Sequence, residues 1–412
     1  MKLHSRSLHT PKPASAFLLA AALLLLAAGA GPSASPLPSR NSVGAGYRVR
    51  AAGAFRTVFW HAGNFRYLDA ITDQDLLTFV QGLAHPNSGG YGKLSSTRTT
   101  NFNAFLDSLF TAIADSLADG STGDWCGVKT KAATAGYAVR RFYDTGTGRW
   151  LVYGYDTTSY GQSYFFINPY AKRNIVIEVP HEGYEGGTKV EGVRLFRDLA
   201  ARALIINKEH RCSDPDQSAC ATNQSTAACS DGRIRESDVA HHTANAFYLL
   251  HVRYTDMDSV TKFIQLHGMG GSSSDMVEVG DGTNNINSDP NSVSVSFASS
   301  LDQYVPTPSA VDSCQGSDNH PSNLCGETNV EGRYTNGHDA SSCPSAAYTD
   351  SGRFLHVEQA GALRDDDASD GWYWGDIRDA LLAVWPDCNM NNGATDCTLG
   401  PQQTVYSALT CP

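Results

Sequence analysis

Two histidines, His181 and His267, and three glutamates, Glu182, Glu185 and Glu358, stand where apolar runs of this chain give way to polar or glycine-rich ones. Histidine and carboxylate are the ligand types that hold a hydrolytic zinc ion, with three protein ligands and a fourth position left for water. A further carboxylate then has to accept the water's proton and hand it to the leaving nitrogen. Two histidines, one ligand glutamate and one base glutamate fill that list. Pro180 fixes the chain as it leaves an apolar run, and Gly183, Gly186 and Gly187 let the backbone fold back so that His181 and Glu185 can face one ion. His267 lies between Leu266 and Gly268, again where an apolar run stops. Taken singly, each residue has an ordinary reading, a hydrogen-bonding loop histidine or a salt-bridge glutamate. Together they describe metal-assisted hydrolysis.

Such groups need rigid elements behind them. Ile175, Val176, Ile177 and Val179 form a near-continuous apolar run, the pattern of a strand covered on both faces, and it leads directly into His181. Val190 to Ala203 follows as a helix, then Leu204 to Asn207 as a second buried strand ending in Glu209, His210 and Arg211. Strand, helix and strand in that order imply a right-handed crossover with a parallel pair. Asp238 to Arg253 reads as a helix, Lys262 to Leu266 as a third strand ending at His267, and Arg353 to Val357 as a fourth followed by Glu358. Strand ends of this kind are where open α/β sheets build sites. Elsewhere, Asp73 to Leu83 and Asn101 to Leu117 are expected helices, the latter from Phe102, Phe105, Leu106, Leu109, Phe110 and Ile113 at helical spacing. Tyr137 to Tyr143 and Trp150 to Tyr155 flank Asp144 to Gly148 as a hairpin. Tyr47 to His61 alternates too weakly for a strand, and Asp376 to Trp385 closes the fold as a helix. Residues 269–349 are rich in Gly, Ser, Asn and Asp, so they are expected to be an insertion outside the core in which only Val293 to Phe297 looks strand-like.

The start of the chain has a basic segment, an apolar run from Ala16 to Ala28 and a small-residue Ala28-Gly29-Ala30. That is the pattern of a secretory signal, too short to span a bilayer. The expected organisation is a signal peptide over 1–30, a linker over 31–45, an N-terminal region over 46–165 packed on or part of the catalytic domain, and that domain over 166–412. The formal charge is −11, and losing Lys2, Arg6 and Lys12 with the signal makes it −14. An acidic exported chain is a poor binder of nucleic acid. Its ten cysteines are even in number and lack the Cys-x-x-Cys spacing of structural zinc, so disulfides are expected, with the pairing left open. The protein is therefore expected to be secreted or periplasmic, with no membrane span.

The order Pro-His-x-Gly-x-Glu-x-Gly-Thr at Pro180 to Thr188, His210-Arg211, Gln-Leu-His-Gly at Gln265 to Gly268 and His-Val-Glu-Gln at His356 to Gln359 resembles the zinc carboxypeptidase superfamily. The resemblance is nearest to its branch of N-formylglutamate amidohydrolases and poly-γ-glutamate hydrolases, and spans Ile175 to Trp385 without the insertion. It implies an α/β fold, phosphorylase/hydrolase-like, with a mixed central sheet flanked by helices. It also implies one zinc ion held by His181, Glu185 and His267, with Glu358 as general base and acid. The implied reaction is hydrolysis of an amide or peptide bond beside a carboxylate, in a peptide or an N-acyl amino acid. Three residues separate His181 from Glu185, where digestive-type carboxypeptidases have two, and Glu182 adjoins His181. The Glu-Gly-Gly-Thr context favours Glu185 as ligand.

Arg211 is a candidate to grip a substrate carboxylate through its planar fork, with a salt bridge as its other reading. Arg364 has the same two readings. Asp238 precedes His241 and His242 by three and four positions, as a helix cap or as a carboxylate supporting the site. Trp372, Tyr373 and Trp374 beside Asp365 to Asp367 are a candidate aromatic rim. The alternative to an enzyme is an exported non-catalytic binding protein whose histidines hold a structural ion. A free base at Glu358 separates the two, because a closed structural site has no use for one.

Overall fold

A computed structural model describes residues 65–83, 90–117, 123–220, 229–270, 275–304, 310–316, 324–337, 343, 345–364, 372–388 and 403–411. The expected signal peptide, the linker and Tyr47 to His61 lie outside them. In chain order the elements are β1 (Ala70–Gln74), α1 (Leu76–Gln81), α2 (Ser96–Leu117), α3 (Trp125–Ala135), β2 (Tyr137–Asp144), β3 (Arg149–Asp156), β4 (Tyr164–Ile167) and β5 (Arg173–Val179). They continue as α4 (Thr188–Asp198), β6 (Ala201–Ile206), α5 (Ala246–Met257), β7 (Lys262–Met269), β8 (Asp275–Gly280), α6 (Val293–Leu301), β9 (Ala310–Ser313), α7 (Val330–Thr335), β10 (Phe354–Ala360) and α8 (Trp372–Val384).

The ten strands form one mixed sheet in the order β1-β2-β3-β4-β6-β5-β7-β10-β8-β9. Its centre, β6-β5-β7-β10, is parallel, and β4 and β8 flank that centre antiparallel to it. The apolar run of β5 is covered on both faces, as its composition requires. Ile175, Ile177 and Val179 pack with Leu76 of α1, Val193 of α4, Phe297 of α6 and Leu381 of α8. Val176, between them, faces the other way, with Phe105 of α2, Trp125 of α3 and Phe247 of α5. Burial of each such side chain stabilises the fold by about 1.5–3 kcal/mol. The strand β5 lies between β6 and β7, its successors in the sequence. The connections from β5 and from β6 therefore run to opposite sides, and the gap between β5 and β7 at their C-terminal ends is a topological switch point, where open sheets form crevices.

Several elements depart from the sequence reading. The expected strand over Val293 to Phe297 is helical: Ser292 caps α6 through its hydroxyl, and Phe297, Ala298 and Leu301 are its buried side, so the alternation of Val293, Val295 and Phe297 did not mark a strand. Residues 269–349 are not outside the core, because β8 pairs with β10 and brings Val277 and Val279 into it. The helix expected over Val190 to Ala203 is displaced: α4 ends at Asp198, and a tight turn at Ala200, with φ 46°, starts β6 at Ala201. The helix expected over Asp238 to Arg253 is a short 3-10 turn, Val239–His241, followed by α5. Helix α3 was not anticipated. Strands β7 and β10 run on past their apolar residues, with Glu358 paired to His267 and Ala360 to Met269, so both site residues are held inside the ladder rather than beyond it.

Four disulfides occur among the described residues: Cys126–Cys411, Cys212–Cys229, Cys220–Cys343 and Cys314–Cys325. The first ties down a C-terminal tail that runs across β2 and β3. Along the tail, Gln403 N donates to Gly148 O (3.0 Å), Trp150 Nε1 to Thr404 O (2.9 Å) and Arg141 Nη2 to Tyr406 O (2.7 Å). No helix among the described residues is long and apolar enough to cross a membrane.

Candidate metal centre

On the face of the sheet that carries α2, α3 and α5, β7 reads Phe263-x-Gln265-x-His267 and β10 reads Phe354-x-His356-x-Glu358. Alternation puts each set of three on one face, apolar at the start and polar toward the C-terminal end. Beside them, the chain leaving β5 folds into a single turn in which Glu185 N donates to His181 O (2.8 Å). That turn swings Glu185 back over His181. Gly187, at φ 89°, then starts α4 where a Cβ would come within 1.8 Å of Arg364 O, so no side chain fits there.

The result is a buried group of His181, Glu185 and His267 whose ligand atoms all lie within 4.8 Å of one another. His181 Nδ1 is 3.0 Å from Glu185 Oε1, and His267 Nδ1 is 3.5 Å from Glu185 Oε2. Gly268 N donates to Glu185 Oε2 at 2.9 Å. Glu358 adjoins the group, its Oε1 at 3.8 Å from His267 Nδ1 and 3.3 Å from His356 Nε2. His267, His356 and Glu358 make a second set with metal-ligand spacing, sharing His267 with the first. Glu182 points elsewhere, toward Lys189 Nζ at 3.5 Å.

Arg211 and Asp238 brace the group from the side. Arg211 donates through Nε (2.9 Å) and Nη2 (2.5 Å) to Asp238 Oδ2 and through Nη1 (3.1 Å) to Glu185 Oε1. Asp238 Oδ1 in turn lies 2.9 Å from His181 Nε2 and 3.0 Å from His241 Nδ1. Burial alone would raise both carboxyls, but Arg211, His241 and His181 around Asp238, and His181 and His267 around Glu185, hold them well below the usual range. Burial and Arg211 push His181 down, yet Glu185 and Asp238 outweigh them and hold it above its ordinary value. Burial, with His356 nearby, pushes His267 down to about 4. The donor set thus fits a cation: an anionic carboxylate lies between two imidazoles, and an ion would take the place of the proton that Glu185 and Asp238 draw onto His181.

Among the described residues Arg364 pairs with backbone carbonyls and not with a carboxylate. It donates to the carbonyls of Gln359 (3.0 Å), Gly186 (2.8 Å) and Met269 (3.4 Å), tying the turn after β5 to the C-terminal ends of β7 and β10. Gly268 leaves room for that guanidinium, since a Cβ there would lie 2.1 Å from Arg364 Cζ. Trp374 lies beside Arg194 and Arg378, on α4 and α8, while Asp365 to Asp367 and the side chains of Trp372 and Tyr373 fall outside the described residues. Gln265 and His356 stand in the motifs quoted above without a role of their own, and the buried Glu178 was missed because it sits within a run read as apolar. The period-two polar positions of β7 and β10 were the available signal.

The fold and site together define a mixed α/β protein with a candidate metal centre at the C-terminal edge of its sheet. No family model and no curated protein matches the chain. A solved structure described as YNDL-apo (zinc-free) is similar at a TM-score of 0.31 and 11% identity, covering 56% of this chain and 92% of its own, a likeness too slight to bear on the site.

Proposed function

We propose that this protein is an exported zinc hydrolase of the zinc carboxypeptidase superfamily that cleaves an amide or peptide bond beside a carboxylate. The observation that carries this reading is the convergence of His181, Glu185 and His267 on one buried point with the carboxylate of Glu358 alongside. A bound zinc ion would supply a Lewis acid that acidifies water and polarises the scissile carbonyl. His181, Glu185 and His267 would hold it. Glu358, on the neighbouring strand, is the group positioned to take a proton and return it to the leaving nitrogen. Asp238 fixes the His181 ring, and Arg211 fixes Asp238 and Glu185. A substrate carboxylate can meet Arg211 only through hydrogens that these bonds leave over. Four disulfides fit an oxidising compartment outside the cytosol. The substrate classes are a peptide C-terminus, an N-acyl amino acid and a γ-linked glutamyl polymer.

The test joins metal analysis of the purified chain to a screen of peptides and N-acyl amino acids, with and without chelator. One zinc per chain is expected, with chelator-sensitive turnover. Glu358→Gln should keep the zinc and lose turnover by about 10²–10⁴-fold. Zinc retained with turnover of every amide substrate unchanged in Glu358→Gln would sink the catalytic reading.

A further inference from the structure

Below the centre the polar positions continue inward as a closed set of hydrogen bonds, every member buried. Its fixed point is a backbone group. Gly332 N, in the first turn of α7, donates to Asn329 Oδ1 at 2.9 Å, which leaves the Asn329 amide nitrogen to donate to Gln265 Oε1. The other end of the Gln265 amide agrees: its Nε2 donates to Glu178 Oε2 at 3.1 Å and faces Glu331 Oε2 at 3.5 Å. Glu178 is itself held by His251 Nδ1 at 2.8 Å, and His251 Nε2 lies 2.7 Å from Thr335 Oγ1. Flipping the Gln265 amide would set its NH2 against that of Asn329 and its oxygen against Glu178, losing hydrogen bonds on both sides. The amide therefore has one orientation, with Oε1 toward His267 Nε2 at 2.8 Å. An amide oxygen only accepts, so the proton of that bond sits on His267 Nε2.

We infer that Gln265 is a positioning residue that locks His267 as the Nε2–H tautomer and so presents its Nδ1 lone pair to the metal centre. The ring is set from a helix N-terminus through two amides, without a carboxylate of its own, whereas His181 has Asp238 in that place. Hydrogen bonds of this kind fix ligand tautomer and orientation, and their loss typically lowers metal affinity about 10–100-fold. The assignment of the ring stands on the hydrogen bonds alone, and its consequence for the ion rests on the zinc reading above.

The test uses the full chain labelled with 15N-histidine. Long-range 1H–15N correlation of the metal-free protein, with His267 assigned by its loss in His267→Gln, should show the Nε2–H pattern. Gln265→Met, which removes the acceptor at similar volume, should release that tautomer preference and weaken zinc binding about 10–100-fold. Gln265→Glu, which still accepts from Nε2–H, should keep the tautomer. A wild-type Nδ1–H pattern overturns the inference, and so does an unchanged tautomer and zinc affinity in Gln265→Met. The wild-type spectrum decides alone if Gln265→Met does not fold. Zinc bound through His181, Glu185 and His267 but insensitive to Gln265→Met would leave the metal reading standing and remove the lock. A tautomer that depends on Gln265 in a protein that binds no zinc would do the reverse.

Discussion

At the scale of single residues, burial of titratable groups makes stability depend on pH in two opposed ways. His242 is buried, and burial pushes it down to about 4 from 6.5. The unfolded chain takes up that proton first, so the contribution is complete above about 6.5 and is lost as pH falls toward 4, on the order of 3 kcal/mol in all. Glu191 is the opposite case, a buried carboxyl pushed up to about 7 from 4.5 by burial, against the hydrogen bond from Gln359 Nε2 at 2.7 Å. Its contribution is complete below about 4.5 and is lost as pH rises through 7, by a similar amount. In the wild type the two slopes oppose each other across the acid range. Denaturant melts from pH 4 to 8 should separate them: Glu191→Gln should gain stability relative to wild type as pH rises through 7, and His242→Gln as pH falls toward 4. Parallel pH profiles for both variants and the wild type would show that neither group is coupled to folding.

At the scale of elements, what could be read from the sequence was set by how strongly composition constrains the backbone. The double-sided apolar run of β5 and the helical spacing in α2 admit one reading each, and both elements formed. Helix α3 carries its inner side on Trp125, Val128, Ala132 and Ala135, at helical spacing but with two alanines among four, so the stripe is faint in composition; its ends carried clearer signals in Asp124, whose side chain accepts from Gly127 N, and in Gly136 at φ 79°. The shift of α4 turned on Ala200, whose positive φ is a residue type's exception and leaves no mark. Among site residues, His181, Glu185, His267 and Glu358 could be found because each adjoins glycine or a break in an apolar run. Gln265 and His356 stood in the motifs, but their place beside the centre could not be read, since only pairing across the sheet reveals that β7 and β10 turn the same face. The turn after β5 and the ends of β7 and β10 are joined through Arg364. Gly187→Ala combines positive φ with a clash against Arg364 O, so it should cost at least about 1–3 kcal/mol and, on the zinc reading proposed above, weaken metal binding as well. A wild-type Tm with wild-type zinc affinity in that variant would mean this link is dispensable.

At the scale of the whole molecule, the tail and its disulfide close one flank of the sheet. Replacing Cys126 and Cys411 with Ser should lower stability by about 2–5 kcal/mol. Limited proteolysis should then release the segment beyond Gln403 before the core is cut, whereas equal protease resistance in the variant would mean that the hydrogen bonds to Arg141, Gly148 and Trp150 suffice. The other bridges span shorter stretches, 17 residues for Cys212–Cys229 and 11 for Cys314–Cys325. Cys126 and Cys411 stand 285 residues apart. On a ribosome, Cys126 is made long before its partner, and eight other cysteines, Cys212 to Cys397, emerge in the interval. A nascent chain oxidised as it crosses into an oxidising compartment would offer Cys126 every wrong partner first. Maturation then falls to thiol exchange after synthesis ends. The expected sign is a refolding yield from the reduced chain that rises sharply when a disulfide isomerase is added, and an isomerase-independent yield would contradict it.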